Sequence, residues 1–134
     1  MDYAKFAAAL ANDGVGENGV RIISAESIRR MYQEEICVDD LKCDFTCVQG
    51  ADYSYGLGVR TRIRPTEWGL GVGEFGWDGA AGTYLMVDPV KHVSVVVGMH
   101  IECWPTIFEG KHLELVKQIT KSCLTHSKTR HRSE

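Results

Sequence analysis

The sequence predicts an α+β domain, and three patterns carry that prediction. Apolar residues recur with the period of a helix over residues 2–12 and 25–34. Runs of β-branched and aromatic residues follow over residues 55–63, 83–87 and 92–99. A further stretch with helical period covers residues 108–125. We therefore expect N-terminal helices, a three-stranded antiparallel sheet and a C-terminal helix packed on it.

The two opening helices are predicted from apolar spacing and from residues that cap helices. The first ends at Asn12-Asp13-Gly14, which supplies a stop. The second begins after Ser24, which stands where an N-cap residue is expected. The apolar faces predicted in this way consist of Tyr3, Phe6, Ala7 and Leu10 in the first helix and of Ile28, Met31 and Tyr32 in the second.

The clearest β pattern is a hairpin around Asp88-Pro89. These two residues favour a tight turn, so the runs 83–87 and 92–99 are expected to pair antiparallel. The second run is almost continuously apolar, which is typical of a strand that is covered on both faces. The predicted cover is the last helix, whose apolar stripe consists of Leu115, Ile119 and Cys123, widened by Leu113, Val116 and Leu124.

Composition is that of an ordinary globular protein of 134 residues, with 44% hydrophobic and 25% charged residues. We expect one α+β domain over residues 1–125 and a disordered basic tail over residues 126–134. The net charge is −3 and the tail is basic, so the rest of the chain is more acidic still, which argues against nucleic acid or membrane as a partner. The chain as given shows no signal peptide, which predicts a cytoplasmic location, although the full-length parent could be exported.

Cysteines and acids are interleaved in one segment of the chain. Cys37, Cys43 and Cys47 alternate there with aspartates, and only the spacing from Cys43 to Cys47 comes near a zinc half-site. We interpret them as reduced cysteines in a loop, with a metal site over residues 37–47 as the weaker alternative. The glycines of residues 71–76 match a dinucleotide-binding pattern, but a strand follows them and not a helix, so no cofactor is predicted.

Catalytic motifs of hydrolases are missing from the sequence. It has neither the Gly-x-Ser-x-Gly elbow nor a Ser-x-x-Lys or Tyr-x-Asn pair. The histidines His92, His100 and His112 are scattered and form no helical pair. The remaining candidate is the glycine- and alanine-rich run 75–84, in which an outward-pointing amide could stabilise an oxyanion. A tight glycine turn that packs against a helix explains the same run equally well.

This run carries a resemblance to a known family. Gly76-Trp77-Asp78-Gly79-Ala80-Ala81-Gly82-Thr83, followed by Asp88-Pro89 and a valine-rich strand, resembles the C-terminal part of the serine β-lactamase-like superfamily, which includes class C β-lactamases, penicillin-binding proteins and family VIII esterases. The helical opening and Tyr55-Gly56-Leu57-Gly58-Val59 are also similar to that family. The likeness covers residues 2–124 and implies a partial β-lactamase/transpeptidase-like fold.

The resemblance implies roles for four residues. Trp77, Asp78 and Gly79 stand where the family has its Lys-Thr-Gly substrate-binding motif, and the backbone N–H of Ala80 would belong to the oxyanion hole. An acid at Asp78 should repel a substrate carboxylate, which favours an ester or a peptide over a β-lactam. The family's Ser-x-x-Lys and Tyr-x-Asn lie in a part that this chain lacks.

Two functions are therefore expected from the sequence. The chain is the C-terminal portion of a β-lactamase-related serine hydrolase, acting on a small acyl substrate (an ester, β-lactam or peptide) and inactive alone. Alternatively, it is a non-catalytic assembly module that pairs with itself through an exposed sheet edge or with an N-terminal partner chain.

Overall fold

The computed structural model describes residues 2–33, 52–100 and 111–130. Among these residues, no helix is long and apolar enough to cross a membrane. The helices are α1 (Asp2–Ala11), α2 (Ala25–Tyr32) and α3 (Lys111–Arg130). The strands are β1 (Tyr53–Tyr55), β2 (Arg60–Arg62), β3 (Phe75–Asp78), β4 (Tyr84–Asp88) and β5 (Val93–Val97), and they form one antiparallel sheet in the order β1-β2-β3-β4-β5. The predicted α+β class is confirmed.

The described elements form three layers, with the sheet in the middle. Side chains alternate along a strand, so β4 places Leu85 and Val87 on one face and Tyr84 and Met86 on the other. The first face packs against α1 and α2 through a cluster that includes Leu10. The second packs against α3 through Leu70, Val95, Val97 and Leu124. The predicted cover on both faces of the valine-rich strand is confirmed, because Val96 contacts the first cluster.

The sheet has five strands where the sequence predicts three. The single strand predicted over residues 55–63 is wrong: the run holds the end of β1, a reversal over Gly56–Val59 and then β2, and Gly56 N–H donates to the Val59 carbonyl at 2.9 Å across the reversal. Gly58 has φ +76°, which only glycine adopts without strain. The same turn holds α2 in place, since Leu57 N–H donates to the Met31 carbonyl at 3.0 Å.

The other additional strand is β3, which begins inside the glycine-rich run that the sequence treats as the approach to a strand. It pairs with β4 in the register Phe75↔Val87 to Asp78↔Tyr84. Gly76 lies in its interior, where a Cβ atom would be 1.9 Å from the Leu85 carbonyl oxygen. The glycine therefore serves close packing in the sheet.

The helices are close to their predicted bounds but bury partly different faces. In α1, Ala7 and Leu10 are buried as predicted, whereas Tyr3 and Phe6 are 50% and 42% exposed. Helix α2 begins after Ser24, whose Oγ accepts the Ser27 N–H at 3.0 Å, so the predicted cap is confirmed.

Helix α3 ends at Arg130 and not at 125, so residues 126–130, which the sequence places in the tail, are helical; residues 108–110 and 131–134 lie outside the described part. Its predicted stripe is confirmed in part: Leu124 is buried and Ile119 packs against the second cluster, whereas Leu115 and Cys123 are exposed. Thr120, which the predicted stripe does not include, is also buried.

The predicted hairpin around Asp88-Pro89 is confirmed by the β4–β5 pairing from Tyr84↔Val97 to Asp88↔Val93. The buried Asp88 carboxylate accepts the N–H groups of Val90 and Lys91 at 3.1 and 2.9 Å. His92 follows with φ 53°, and its Nδ1 lies 2.8 Å from the Ala11 carbonyl oxygen at the end of α1. The turn thus ties the sheet to the first helix.

Candidate functional site

The residues Trp77 to Ala80 lie where β3 ends and the chain turns toward β4. Gly82 N–H donates to the Gly79 carbonyl at 2.9 Å, and Gly79 N–H donates to the Thr83 carbonyl at 2.7 Å. Ala80 and Ala81 therefore occupy the two central positions of a four-residue turn. Gly82 has φ +87°, which explains a glycine at the exit of the turn.

Ala80 presents its backbone at the tip of this turn. The residue is exposed, and its N–H makes no hydrogen bond to any other residue that the structure describes. Its neighbours Gly79 and Gly82 both use their N–H groups inside the turn. The described part of the protein therefore leaves the Ala80 amide unused.

Trp77 projects from the last part of β3 and is 41% exposed, whereas Phe75 in the same strand is fully buried. Its ring meets Tyr55 edge to face, with the ring centroids 5.7 Å apart. Leu57, two residues after Tyr55, is 50% exposed. The end of β3 thus displays an aromatic surface beside the Ala80 turn.

Asp78 occupies a different position from the one expected of a substrate-facing acid. Its side chain is only 9% exposed, and Oδ1 lies 3.6 Å from Arg60 Nη2. Because the charge is directed into the protein and matched by a guanidinium, the expected repulsion of a substrate carboxylate by Asp78 loses its structural basis.

Arg60 is the centre of a buried charge cluster between β2 and β3. Its side chain is 1% exposed and its Nη2 lies 3.5 Å from Glu74 Oε1. The Glu74 carboxylate also accepts from Arg62 Nε at 3.0 Å and from the Tyr53 hydroxyl at 3.0 Å. The cluster of Arg60, Arg62, Glu74 and Asp78 therefore combines two guanidinium groups with two carboxylates.

Further contacts connect this cluster to the sheet. Arg60 Nη1 donates to the Leu85 carbonyl at 3.1 Å, and the guanidinium lies 4.9 Å from the centre of the Tyr84 ring. Burial raises the pKa of Tyr84 to about 12, and burial also raises the pKa of Tyr53 far above its ordinary range. Burial lowers the pKa of Arg60, but the surrounding charges, that of Glu74 first among them, together outweigh burial, so that this pKa lies above its ordinary value. Near neutral pH, both phenols stay neutral and Arg60 stays charged.

Arg60 and Glu74 were not predicted from the sequence to be functional or buried residues. A usable signal is present, because Arg60 and Arg62 alternate with Val59, Thr61 and Ile63 in a run of β-forming residues. Both arginines therefore fall on one face of a strand. Glu74 supplies a matching charge directly before the buried Phe75. Charged residues at buried strand positions require such partners.

Other residues singled out in the sequence are not part of this site. Cys37, Cys43 and Cys47 lie outside the described residues, as does the side chain of His112. Among the residues that are described, no group of three or more His, Cys, Asp or Glu could hold a metal ion. The glycines of residues 71–76 are followed by a strand and not by a helix, but that strand is β3, which the sequence did not predict and which already includes Gly76.

A separate open cavity of about 350 Å³ lies between the end of α2, strand β2 and the loop before β3. Its walls include Tyr32, Thr61, Ile63, Val72 and Gly73, and neither Trp77 nor Ala80 lines it. The Thr61 hydroxyl is engaged with the Tyr32 carbonyl at 2.6 Å. The cavity is therefore distinct from the site at the end of β3.

Two proteins of Mycobacterium tuberculosis are similar to this chain: "Uncharacterized protein MT1414" of strain CDC 1551 / Oshkosh and "Protein Rv1367c" of strain ATCC 25618 / H37Rv. Each is 33% identical over 94 residues, which is 66% of this chain and 23% of the relative. The match therefore spans about a quarter of the length of these relatives. No protein-family model matches the chain.

Proposed function

We propose that the chain is the C-terminal portion of a β-lactamase-related serine hydrolase that catalyses acyl transfer. In this proposal it supplies the strand that flanks the substrate, through Trp77, Asp78 and Gly79, and one amide of the oxyanion hole, at Ala80. A nucleophilic serine with its lysine must come from a part of the enzyme that this sequence does not contain. The isolated chain is therefore inactive in hydrolysis.

The observation that carries the proposal is the Ala80 N–H, which has no hydrogen-bond partner among the described residues and belongs to an exposed residue at the tip of the turn after β3. An oxyanion hole needs a donor that is fixed before the reaction and directed at the position where charge develops. The turn fixes this amide through the hydrogen bonds of Gly79 and Gly82. The size of the relatives supports the proposal as well, because most of their length lies outside the 94-residue match.

The test is a hybrid enzyme in which the matched 94 residues of the M. tuberculosis relative are replaced by those of this chain. Hydrolysis of p-nitrophenyl butyrate and of nitrocefin is measured for the hybrid, for the intact relative and for the isolated chain. We expect turnover from the first two and none from the third. The absence of turnover by both the relative and the hybrid on every substrate would contradict the proposal, as would turnover by the isolated chain.

Two variants of the hybrid isolate the role of the amide. Ala80→Pro removes the N–H, and proline is well suited to the first central position of such a turn, so the fold should persist. Ala80→Gly keeps the N–H and is the matched control. We expect the proline variant to lose about 10²-fold in kcat, as for other single oxyanion donors, and the glycine variant to stay close to the parent.

A second candidate function is that of an assembly module, and the exposed side of α1 favours it. Tyr3 and Phe6 are half exposed, with ring centroids 6.0 Å apart, although both are large and apolar. Light scattering of the purified chain over a wide concentration range tests this candidate. A dimer that Phe6→Glu dissociates would support it, and a monomer at high concentration would count against it.

A further inference from the structure

We infer that Trp77 and Tyr55 form a specificity surface for an uncharged aromatic group of the substrate, whose carbonyl oxygen lies at the Ala80 N–H. This inference rests on the proposed function and names the class of substrate: neutral aryl-containing carboxylic esters. Three features of the end of β3 support it. Two aromatic rings pack against each other at the surface, the charged side chains are buried, and the polar side chain of the turn is hydrogen-bonded inside the protein.

The two rings form a supported surface. Trp77 is 41% exposed although Phe75 and Gly76 before it in the strand are buried, and Tyr55 meets it edge to face with the ring centroids 5.7 Å apart. An indole held in this way loses little conformational freedom when a second ring packs on it. The apolar side chain of Leu57, which is 50% exposed, lies two residues beyond Tyr55 in the chain.

The charges at this end of β3 are withdrawn from solvent. Arg60 is 1% exposed and is paired with the carboxylates of Glu74 and Asp78, at 3.5 and 3.6 Å. Asp78 is itself 9% exposed. A substrate carboxylate would therefore gain nothing from Arg60, because the guanidinium is buried and already neutralised. This arrangement disfavours an anionic ligand.

The polar side chain of the turn is also engaged inside the protein. The Thr83 hydroxyl donates to the Met99 carbonyl at 3.2 Å, and the residues at the tip are alanines. Ala80 N–H is a single donor suited to one carbonyl oxygen. A ligand that fits these groups has one carbonyl oxygen for the Ala80 N–H and one aromatic ring for Trp77. A neutral aryl-containing ester has both.

The experiment measures binding to the whole chain with two probes that differ by one ester methyl group and, as a result, in charge. Methyl N-benzoylglycinate is neutral, and N-benzoylglycinate carries a carboxylate on the same skeleton. ¹⁵N–¹H spectra of the labelled chain follow the Trp77 indole N–H and the Ala80 backbone N–H during each titration. We expect saturable shifts of both signals with the ester and binding of the anion about tenfold weaker or worse.

Substitutions of tryptophan test whether the ester binds at the Trp77 ring. Trp77→Leu keeps an apolar side chain and should weaken ester binding about tenfold, because it removes the aromatic face. Trp68→Phe is the matched control, since Trp68 is a partly buried tryptophan beside Lys121 and α3, and it should bind the ester as the parent does. Trp77→Lys adds a cation and should shift the preference toward the anion.

Several outcomes would overturn the inference: no saturable shift with the ester, equal binding of both probes, shifts centred away from Trp77, or unchanged binding by Trp77→Leu. The binding result is independent of turnover. Ester binding at Trp77 together with a hybrid enzyme that hydrolyses nothing would remove the proposed function alone. A hybrid that hydrolyses esters, with no ester binding at Trp77, would remove this inference alone.

Discussion

Arg60 and Gly76 are paired across β2 and β3, and the arginine side chain lies in the volume that a side chain at position 76 would need. A Cβ atom on Gly76 would be 2.8 Å from Arg60 Nη1 and 1.9 Å from the Leu85 carbonyl oxygen. The missing side chain of Gly76 thus lets the buried guanidinium reach both the backbone of β4 and the carboxylate of Asp78.

Gly76→Ala should therefore destabilise the protein, because the new methyl group collides with backbone that cannot withdraw. We expect a loss of about 1–3 kcal/mol in the free energy of unfolding, measured by urea denaturation. Gly71→Ala is the matched control, since its Cβ atom would meet nothing within 4 Å. Equal stability of the two variants would show that β3 and β4 are not packed as described.

Removal of the Arg60 charge should cost more than removal of an exposed arginine. Arg60→Met leaves the buried carboxylates of Glu74 and Asp78 without this cation, so we expect a loss of about 3–5 kcal/mol in urea denaturation. Arg64→Met is the control, because Arg64 is 65% exposed and lies 3.8 Å from Asp52, and it should change stability by about 0.5 kcal/mol at most. Similar losses in both variants would contradict a buried cluster.

Contacts between neighbouring residues can be predicted from this sequence, whereas the buried cluster around Arg60 cannot. The Ser24 cap and the Asp88-Pro89 hairpin are predictable because the groups that interact are within a few residues of each other. Arg60 and Glu74 are fourteen positions apart and meet only because of the register between β2 and β3. From the sequence alone, each of these charged residues would be expected on the surface. The alternation over residues 59–63 places both arginines on one face of a strand, but it does not show which carboxylates they meet.

The candidate site, like the fold, could be predicted from the sequence only in part. The turn of small residues around Ala80 follows from local glycine content, and the structure bears out its tight geometry. The direction of the Asp78 side chain does not follow from the sequence, because it depends on Arg60 in another strand. Strands β1 and β2 were predicted as one because the turn over Gly56–Val59 is short and glycine-rich, and β3 was missed because it begins inside the glycine-rich run before β4.

The buried phenols predict how stability depends on pH. The pKa of Tyr84 is raised to about 12 and that of Tyr53 is also raised, both by burial, from an ordinary value of 10.0. Above pH 10 the unfolded chain loses these phenol protons while the folded protein keeps them, so the unfolded state binds fewer protons and stability falls as pH rises. Their contribution is fully present below pH 10.

Urea denaturation at pH 8, 9, 10 and 11 measures this decline. Tyr84→Phe and Tyr53→Phe should each make stability fall less steeply above pH 10, because each removes one phenol that is protonated only in the folded state. Tyr3→Phe, at a residue that is 50% exposed, serves as the control and should leave the slope unchanged. A slope that none of the three variants alters would contradict the burial of both phenols.

Substitution of two leucines in α3 tests which face of this helix packs against the sheet. Both belong to the stripe predicted from the sequence, but Leu124 is 3% exposed and packs in the cluster with Met86 and Val95, whereas Leu115 is 43% exposed. Leu124→Ala should lower the free energy of unfolding by about 3 kcal/mol, since it leaves a cavity under the sheet. Leu115→Ala should cost less than about 1 kcal/mol because its side chain is already largely in water. A larger loss at Leu115 than at Leu124, again in urea denaturation, would show that α3 turns a different face to the sheet.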